Sequence, residues 1–113
     1  MDIYGAGGGD APDFARVVGF DWDAGNFMKS EKHRVSAAEA EQVFVNEPLL
    51  VLDDRVHSEA EARWHALGRT NEGRLLHLTF TLRADGARVR VISARPMHRK
   101  ERTTYEKAAA ADS

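Results

Sequence analysis

The spacing of apolar residues changes from a helical to a strand-like period near the middle of the chain. Ala40, Val43 and Phe44 recur three or four residues apart, which places them on one face of a helix. From Ala62 to Ala94, apolar and polar residues alternate instead, as they do in strands with one buried face. The pattern therefore predicts helices in the first half of the chain and a sheet in the second half.

Local signals give the bounds of the elements in the first half. A short strand is predicted over Ala15–Phe20, and Asp23 is a suitable cap for a helix that runs to about Lys32. The second helix begins with the capping-box pattern of Ser36 and Glu39, since each side chain can bond the other residue's backbone. Pro48 ends this helix or follows its end.

The second half of the chain predicts an antiparallel meander followed by a helix. Leu49–Leu52 forms a short apolar strand, and three further strands follow over about 62–68, 75–82 and 87–94. A helix is predicted from His98 to about Ala110. The predicted fold class is α+β, a small antiparallel sheet with two N-terminal helices and one C-terminal helix packed on it.

Length and composition indicate one small domain. The chain has 113 residues, and we predict a flexible glycine-rich leader at 1–13, a single domain at 14–110 and a short tail at 111–113. With no cysteine, disulfides, thiol nucleophiles and thiolate metal sites are excluded. The sequence contains no apolar run of about 20 residues that could span a membrane, and no secretory signal pattern. A cytoplasmic protein fits these observations.

The net charge of −2 conceals a strong asymmetry along the chain. Residues 1–62 contain five Lys or Arg against thirteen Asp or Glu, whereas residues 63–113 contain eleven against five. A basic half can attract nucleic acid by neutralising phosphates. The alternative interpretation is that these arginines are ordinary solvated surface residues.

Three motifs and one dipeptide occur in an order found in a known family. They are Phe20–Val35 (FDWDAGNFMKSEKHRV), Gly68-Arg69, Arg90–Arg95 (RVISAR) and Glu101–Glu106 (ERTTYE). Together the chain from about Phe20 to Lys107 resembles the BrnT family of type II toxin–antitoxin ribonucleases. The resemblance implies a compact RelE-like toxin fold and a metal-independent endoribonuclease without a cofactor. It also implies a BrnA-like antitoxin as partner, in a heterotetramer that contacts DNA only through the antitoxin.

A ribonuclease that uses no metal depends on side chains alone. RNA supplies its own nucleophile, the 2′-hydroxyl, so the protein must provide a base, an acid and cations for the crowded phosphorane. The resemblance points to six candidate catalytic residues: Lys32, His33, Arg90, Arg95, Arg102 and Tyr105. Four more basic residues are candidates for RNA binding: Arg69, Arg88, Arg99 and Lys100. Which residue is the base and which the acid stays open.

Each candidate also has a structural interpretation. Lys32 and His33 could merely complement the dipole at the C-terminal end of the first helix. Tyr105 could dock the last helix on the sheet instead of contacting RNA. Glu101 lies three residues after His98 and could cap the helix start. The five histidines show no zinc-ligand spacing, so no metal site is predicted.

The chain departs from the family pattern near the proposed site. Arg34 stands where the family has glycine after the Lys-His pair, and Ser30 where it tends to have asparagine. If position 34 is left-handed, a non-glycine residue there costs roughly 1 kcal/mol. These departures motivate an alternative hypothesis, a catalytically decayed module that binds RNA or antitoxin and acts in autoregulation of its operon.

Overall fold

A computed structural model describes residues 3–6, 12–26, 33–54 and 61–111 of the chain, with residues 3–6 described as backbone only. The strands are β1 (Ile3–Ala6), β2 (Gly19–Phe20), β3 (Leu49–Asp53), β4 (Trp64–Arg69), β5 (Leu75–Arg83) and β6 (Arg88–Pro96). The helices are α1 (Ala37–Val45) and α2 (Arg99–Ala111), with a 3-10 turn at Phe14–Arg16. No helix among the described residues is long and apolar enough to cross a membrane.

The sheet has six strands in the order β1-β3-β4-β5-β6-β2. The four inner strands are antiparallel neighbours, but β1 pairs with β3 in parallel and β2 pairs with β6 in parallel. The α+β class is therefore confirmed, whereas the prediction of a purely antiparallel sheet is wrong. The meander of β4, β5 and β6 was predictable because hairpin strands pair in sequence order. The two outer strands come from distant segments whose pairing partners no local pattern specifies.

The N-terminal segment differs most from the prediction. A strand, β1, lies within the glycine-rich segment for which no element was predicted. The strand expected at Ala15–Phe20 is reduced to the two residues of β2, because Phe14–Arg16 forms a 3-10 turn capped by Asp13. After Asp23, residues 24–26 are helical, and the Asp23 carboxylate accepts a hydrogen bond from the Asn26 N–H at 3.0 Å, as a cap does. The continuation to Lys32 lies outside the described residues.

Helix α1 follows its sequence signals closely. Ser36 and Glu39 form the predicted reciprocal capping box. Ala40, Val43 and Phe44 are buried against one face of the sheet, in a core that includes Trp64 and Phe80. The rings of Trp64 and Phe80 stack with centroids 5.7 Å apart. Trp64 is therefore a core residue.

The glycine of the Gly68-Arg69 motif has a structural role. A Cβ atom at this position would lie 2.6 Å from Cγ1 of Val43 and 3.2 Å from its carbonyl oxygen. Because Gly68 has no side chain, α1 can approach the backbone of β4 closely. The glycine therefore serves packing between α1 and β4.

Helix α2 covers part of the opposite face of the sheet. Leu50 and Leu67 of the sheet form a second small core with Met97 and with Tyr105 of the helix. At the helix start, the Glu101 carboxylate accepts a hydrogen bond from the His98 N–H at 2.7 Å, so the predicted capping role of Glu101 is confirmed. Beyond this apolar patch the same face of the sheet is polar.

A one-residue bulge in β6 decides which side chains share that polar face. Thr79 pairs with Ser93, but the next residue, Phe80, pairs with Val91, so Ile92 is an extra residue without a partner in β5. In an unbroken strand, side chains five residues apart, such as those of Arg90 and Arg95, would point to opposite faces. The bulge shifts the alternation by one residue, and both arginines lie on the polar face.

Candidate active site on the polar face of the sheet

Cross-strand pairing arranges the polar face in rows that run across β4, β5 and β6. One row contains Leu67, His77 and Arg95, and the next contains His65, Thr79 and Ser93. In the third row, Thr81 lies opposite Arg90. Adjacent strands lie about 4.8 Å apart, so side chains within a row are direct neighbours. The rows bring together imidazoles, hydroxyls and guanidinium groups, which are the groups that metal-free phosphate chemistry needs.

Arg95 is held at the edge of this face by Glu101 of α2. Its Nη1 and Nη2 atoms donate to the two carboxylate oxygens at 2.8 and 2.9 Å. This two-bond geometry suits the planar guanidinium and fixes its orientation. The hydrogen bonds from Arg95, with that from the His98 backbone, lower the pKa of Glu101 from 4.5 to about 2. Glu101 is therefore a carboxylate at neutral pH.

His77 lies directly opposite Arg95 on β5 and is buried. Its Nε2 atom is 3.8 Å from a carboxylate oxygen of Glu101, and its Nδ1 atom has no hydrogen-bond partner among the described residues. Burial, followed by the nearby charge of Arg95, lowers the pKa of His77 from 6.5 to about 4. The imidazole of His77 is consequently neutral at neutral pH.

His65 lies beside His77, with ring centroids 4.8 Å apart. One ring nitrogen, Nε2, is 3.4 Å from a carboxylate oxygen of Asp54, and the other, Nδ1, is 3.0 Å from the hydroxyl of Thr79. The side chain of Asp54 is 5% exposed and that of His65 is 29% exposed. A buried carboxylate, a partly exposed imidazole and a hydroxyl thus form a continuous chain on the polar face.

Arg90 of β6 connects the polar face to Asp21 and Asp23, which follow β2. Its guanidinium contacts Asp23 at 2.8 Å and Asp21 at 3.7 Å. The backbone bond from Asn26, followed by the bond from Arg90, lowers the pKa of Asp23. Arg90 also borders a cleft of about 240 Å³ that is lined by Arg63, just before β4, by Arg83 of β5 and by Glu61, which pairs with Arg83 at 3.3 Å. The position combines a structural ion pair with a basic, open surface.

The described contacts of His33 do not include the two motif arginines. His33 is exposed in a turn, and its carbonyl oxygen and that of Arg34 accept hydrogen bonds from Arg74. Arg74 also pairs with Glu39 at the start of α1, the helix that packs on the other face of the sheet. Lys32 lies outside the described residues.

The two candidates on α2 differ in environment. Tyr105 is 2% exposed, and its hydroxyl donates to the carbonyl oxygen of Pro48 at 2.8 Å. Burial raises the pKa of this phenol. These contacts favour the packing interpretation of Tyr105 over contact with RNA. Arg102 is exposed, and one of its nitrogens donates to the carbonyl oxygen of Met97.

The four residues proposed for RNA binding are all exposed. Arg88 begins β6, and one of its nitrogens donates to the carbonyl oxygen of Phe20. Arg69 ends β4 on the same side of the sheet as His65, whereas Arg99 and Lys100 form the start of α2. The basic residues therefore surround the polar face instead of forming one compact patch.

Sequence reasoning missed His65, His77, Thr79 and Asp54. The available signal was their position in the strands: His65 lies between Trp64 and Ala66, which belong to the core face. A polar residue between two core residues of a strand points to the opposite face. What the pattern could not show is that four such residues from three segments meet there.

The comparison with protein families identifies this chain. Residues 22–101 match the family described as the ribonuclease toxin BrnT of type II toxin–antitoxin systems. A comparison with curated proteins found no match. The matched range begins at Trp22 and ends at Glu101, so it includes both motif arginines and the whole polar face. The chain belongs to the BrnT family of type II toxin–antitoxin ribonuclease toxins.

Proposed function

We propose that this protein is a metal-independent endoribonuclease that cleaves RNA through attack of the 2′-hydroxyl on the adjacent phosphate. The observation that carries the proposal is the placement of Arg90 and Arg95 on one face of the sheet, two rows apart, with Ser93 between them. A phosphate above Ser93 would be within reach of both guanidinium groups. Because guanidinium groups offer paired donors, they suit a phosphate whose charge grows in the transition state.

The remaining candidates take supporting roles in this proposal. Arg102 and the exposed residues Arg69, Arg88, Arg99 and Lys100 neutralise phosphates that flank the scissile one. Lys32 and His33 remain candidates for proton transfer. Tyr105 holds α2 in place, and through α2 it supports the pair of Arg95 and Glu101. If the substrate is cellular RNA, the protein acts in the cytoplasm.

The proposal is tested with purified protein and a single-stranded RNA oligonucleotide in excess EDTA. We expect products that end in a 2′,3′-cyclic phosphate and a 5′-hydroxyl, since 2′-hydroxyl attack gives these ends. Arg95→Ala should reduce the rate by at least 100-fold, in the range seen when one group that stabilises transition-state charge is removed. Arg95→Lys should recover little, because an ammonium cannot form two parallel bonds. Arg16→Ala, at an exposed position of the 3-10 turn, is the matched control.

Membership of a type II toxin–antitoxin family implies an antitoxin partner. We propose that this partner is a BrnA-like protein that covers the polar face, in a heterotetramer that contacts DNA through the antitoxin. Exposed arginines around the face repel one another, and an acidic or amphipathic segment would relieve this repulsion while it excludes RNA. Mixing the two proteins at equal molarity should suppress cleavage. Undiminished cleavage by the complex would contradict occlusion of the face.

The alternative is a catalytically decayed module that retains antitoxin or RNA binding and acts in autoregulation. Arg34 favours it, because this non-glycine residue has a φ of 58° where the family has glycine. Growth arrest on expression without antitoxin, lost in Arg95→Ala, would count against the decayed module. Absence of RNA cleavage both with free RNA and with translating ribosomes would count against the enzyme.

A further inference from the structure

Asp54, His65 and Thr79 form a chain of polar groups that no family motif in this sequence includes. The carboxylate of Asp54 is 3.4 Å from Nε2 of His65, and Nδ1 of His65 is 3.0 Å from Oγ1 of Thr79. Asp54 follows β3, His65 lies in β4 and Thr79 lies in β5. His65 and Thr79 are cross-strand partners, and Asp54 lies two residues beyond Leu52, the partner of His65 in β3. Three neighbouring segments of the sheet thus present an acceptor, an imidazole and a hydroxyl.

The order of these groups favours one tautomer of His65. A carboxylate only accepts hydrogen bonds, so Asp54 favours a proton on Nε2. In that tautomer Nδ1 carries the lone pair and accepts the hydroxyl proton of Thr79. A carboxylate that orients an imidazole whose other nitrogen faces a hydroxyl is the arrangement of a general base.

The position of His65 relative to the motif arginines also suits a base. The row of His65, Thr79 and Ser93 lies between the row of Arg95 and the row of Arg90. A phosphate held by the two arginines above Ser93 would place a neighbouring ribose above Thr79, one strand spacing of about 4.8 Å away. The 2′-hydroxyl of that ribose would then take the place of the Thr79 hydroxyl at Nδ1.

We propose that His65 is the general base of the RNA cleavage proposed above, and that Asp54 is its positioning residue. The inference rests on that proposed function. Nδ1 of His65 accepts the proton of the 2′-hydroxyl as the 2′-oxygen forms a bond to phosphorus. The bond from phosphorus to the 5′-oxygen breaks, and the 5′-oxygen takes a proton from solvent. His65 returns its proton to solvent, so the net reaction is a transesterification.

The described groups that face His65 are compatible with this role. They include Asp54 on one side, Thr79 on another and the ring of His77 at 4.8 Å. His77 is neutral at working pH, because burial and Arg95 lower its pKa to about 4. A neutral neighbour does not oppose the positive charge that His65 acquires when it accepts the proton. Arg95 and Glu101 face His77 from β6 and α2, and their charges oppose each other.

The principal test compares histidine variants on one RNA substrate. His65→Gln should lower kcat at least 100-fold, within the range of about 10²–10⁴ that general-base catalysis supplies. Binding of the same oligonucleotide with 2′-O-methyl riboses, which cannot react, should be unchanged. His98→Gln, exposed at the start of α2, is the matched control and should keep full activity. Thermal unfolding of each variant checks that the fold is retained.

A further variant tests the carboxylate beside His65. Asp54→Asn should lower kcat with little change in KM, and should move the acidic limb of the pH–rate profile to lower pH. The variant lacks the negative charge of Asp54, which stabilises the imidazolium form of His65. If Asp54 had a purely structural role, its loss would not move that limb.

Three outcomes would overturn the inference. If the wild-type protein cleaves RNA and His65→Gln keeps full activity, the ribonuclease function stands but His65 is not the base. Loss of activity in His33→Gln alone would assign the base to His33. If the wild-type protein does not cleave RNA at all, the inference falls with the proposed function.

Discussion

Arg95 and Glu101 are joined by two parallel hydrogen bonds, of 2.8 and 2.9 Å, that link the last strand to the first turn of the last helix. The same carboxylate accepts the His98 N–H, so one side chain caps α2 and fixes the motif arginine. Substitution of an exposed surface residue usually changes stability by no more than about 0.5 kcal/mol. Arg95 also stabilises the fold, because it pairs with the carboxylate that caps α2.

Acid unfolding tests the pair through Glu101. Because its pKa falls from 4.5 to about 2 on folding, Glu101 stabilises the protein above pH 4.5, and this contribution is lost as the pH falls towards 2. Glu101→Gln should therefore lower stability at pH 6 and flatten the stability loss between pH 4.5 and 2. Urea unfolding at several pH values measures both. An unchanged slope in this pH range would show that Glu101 is not held as a paired carboxylate.

His77 makes a separate contribution at higher pH. Its pKa falls from 6.5 to about 4 on folding, so its contribution is fully present above pH 6.5 and is lost as the pH falls towards 4. The size is on the order of 3 kcal/mol across that range. His77→Phe, which fills a similar volume without a titratable group, should remove most of this pH dependence. A loss of stability between pH 6.5 and 4 equal to that of the wild type would contradict the assignment.

The close approach at Gly68 predicts a steric penalty. Gly68→Ala should destabilise the protein by about 1–3 kcal/mol, because the new methyl group would overlap Cγ1 of Val43. In a Val43→Ala background the same substitution should cost less, since the opposing methyl group is gone. Chemical unfolding of the two single variants and the double variant gives the coupling energy. Additive costs would mean that contact with Val43 is not the cause.

The left-handed backbone at Arg34 predicts a stabilising substitution. Arg34 has a φ of 58°, and glycine adopts this conformation without the clash of a side chain. Arg34→Gly should raise the free energy of unfolding by about 0.5–1 kcal/mol. Arg34→Ala removes the same exposed side chain but keeps the Cβ atom, so it should give no such gain. Equal effects of the two variants would show that strain at this residue is negligible.

The hydroxyl of Tyr105 distinguishes packing from RNA contact. Tyr105→Phe removes its bond to the Pro48 carbonyl and should cost about 1 kcal/mol of stability. Cleavage of RNA should be unchanged, because the ring stays in the core between α2 and the sheet. A loss of activity without a loss of stability would reverse this interpretation and return Tyr105 to the catalytic group.

Local signals in the sequence predicted the parts of the fold that depend on neighbouring residues. The capping box of Ser36, the buried face of α1 and the alternation in β5 are short-range patterns, and the structure confirms each. The strands β1 and β2 could not be predicted in this way. Each pairs in parallel with a strand far away in the sequence, and β2 is only two residues long.

The same distinction applies to the candidate site: residues with local partners could be identified from the sequence, and residues with distant partners could not. Arg95 was identified by its motif, and the bonds it makes to Glu101 are local, six residues apart. His65 was missed because its partners Asp54 and Thr79 come from two other strand segments. A pattern along one strand shows that a histidine leaves the core face. It contains no information on which residues of other strands it meets.

The extra residue at Ile92 makes the site sensitive to the number of residues in β6, and much less to their identity. Substitution of Ile92 by another residue preserves the count, so Arg90 and Arg95 stay on one face. Deletion of one residue there would restore strict alternation and turn Arg95 towards the core beneath α1. Active relatives should therefore vary freely in the side chain at this position, yet conserve the odd spacing of five between the two arginines.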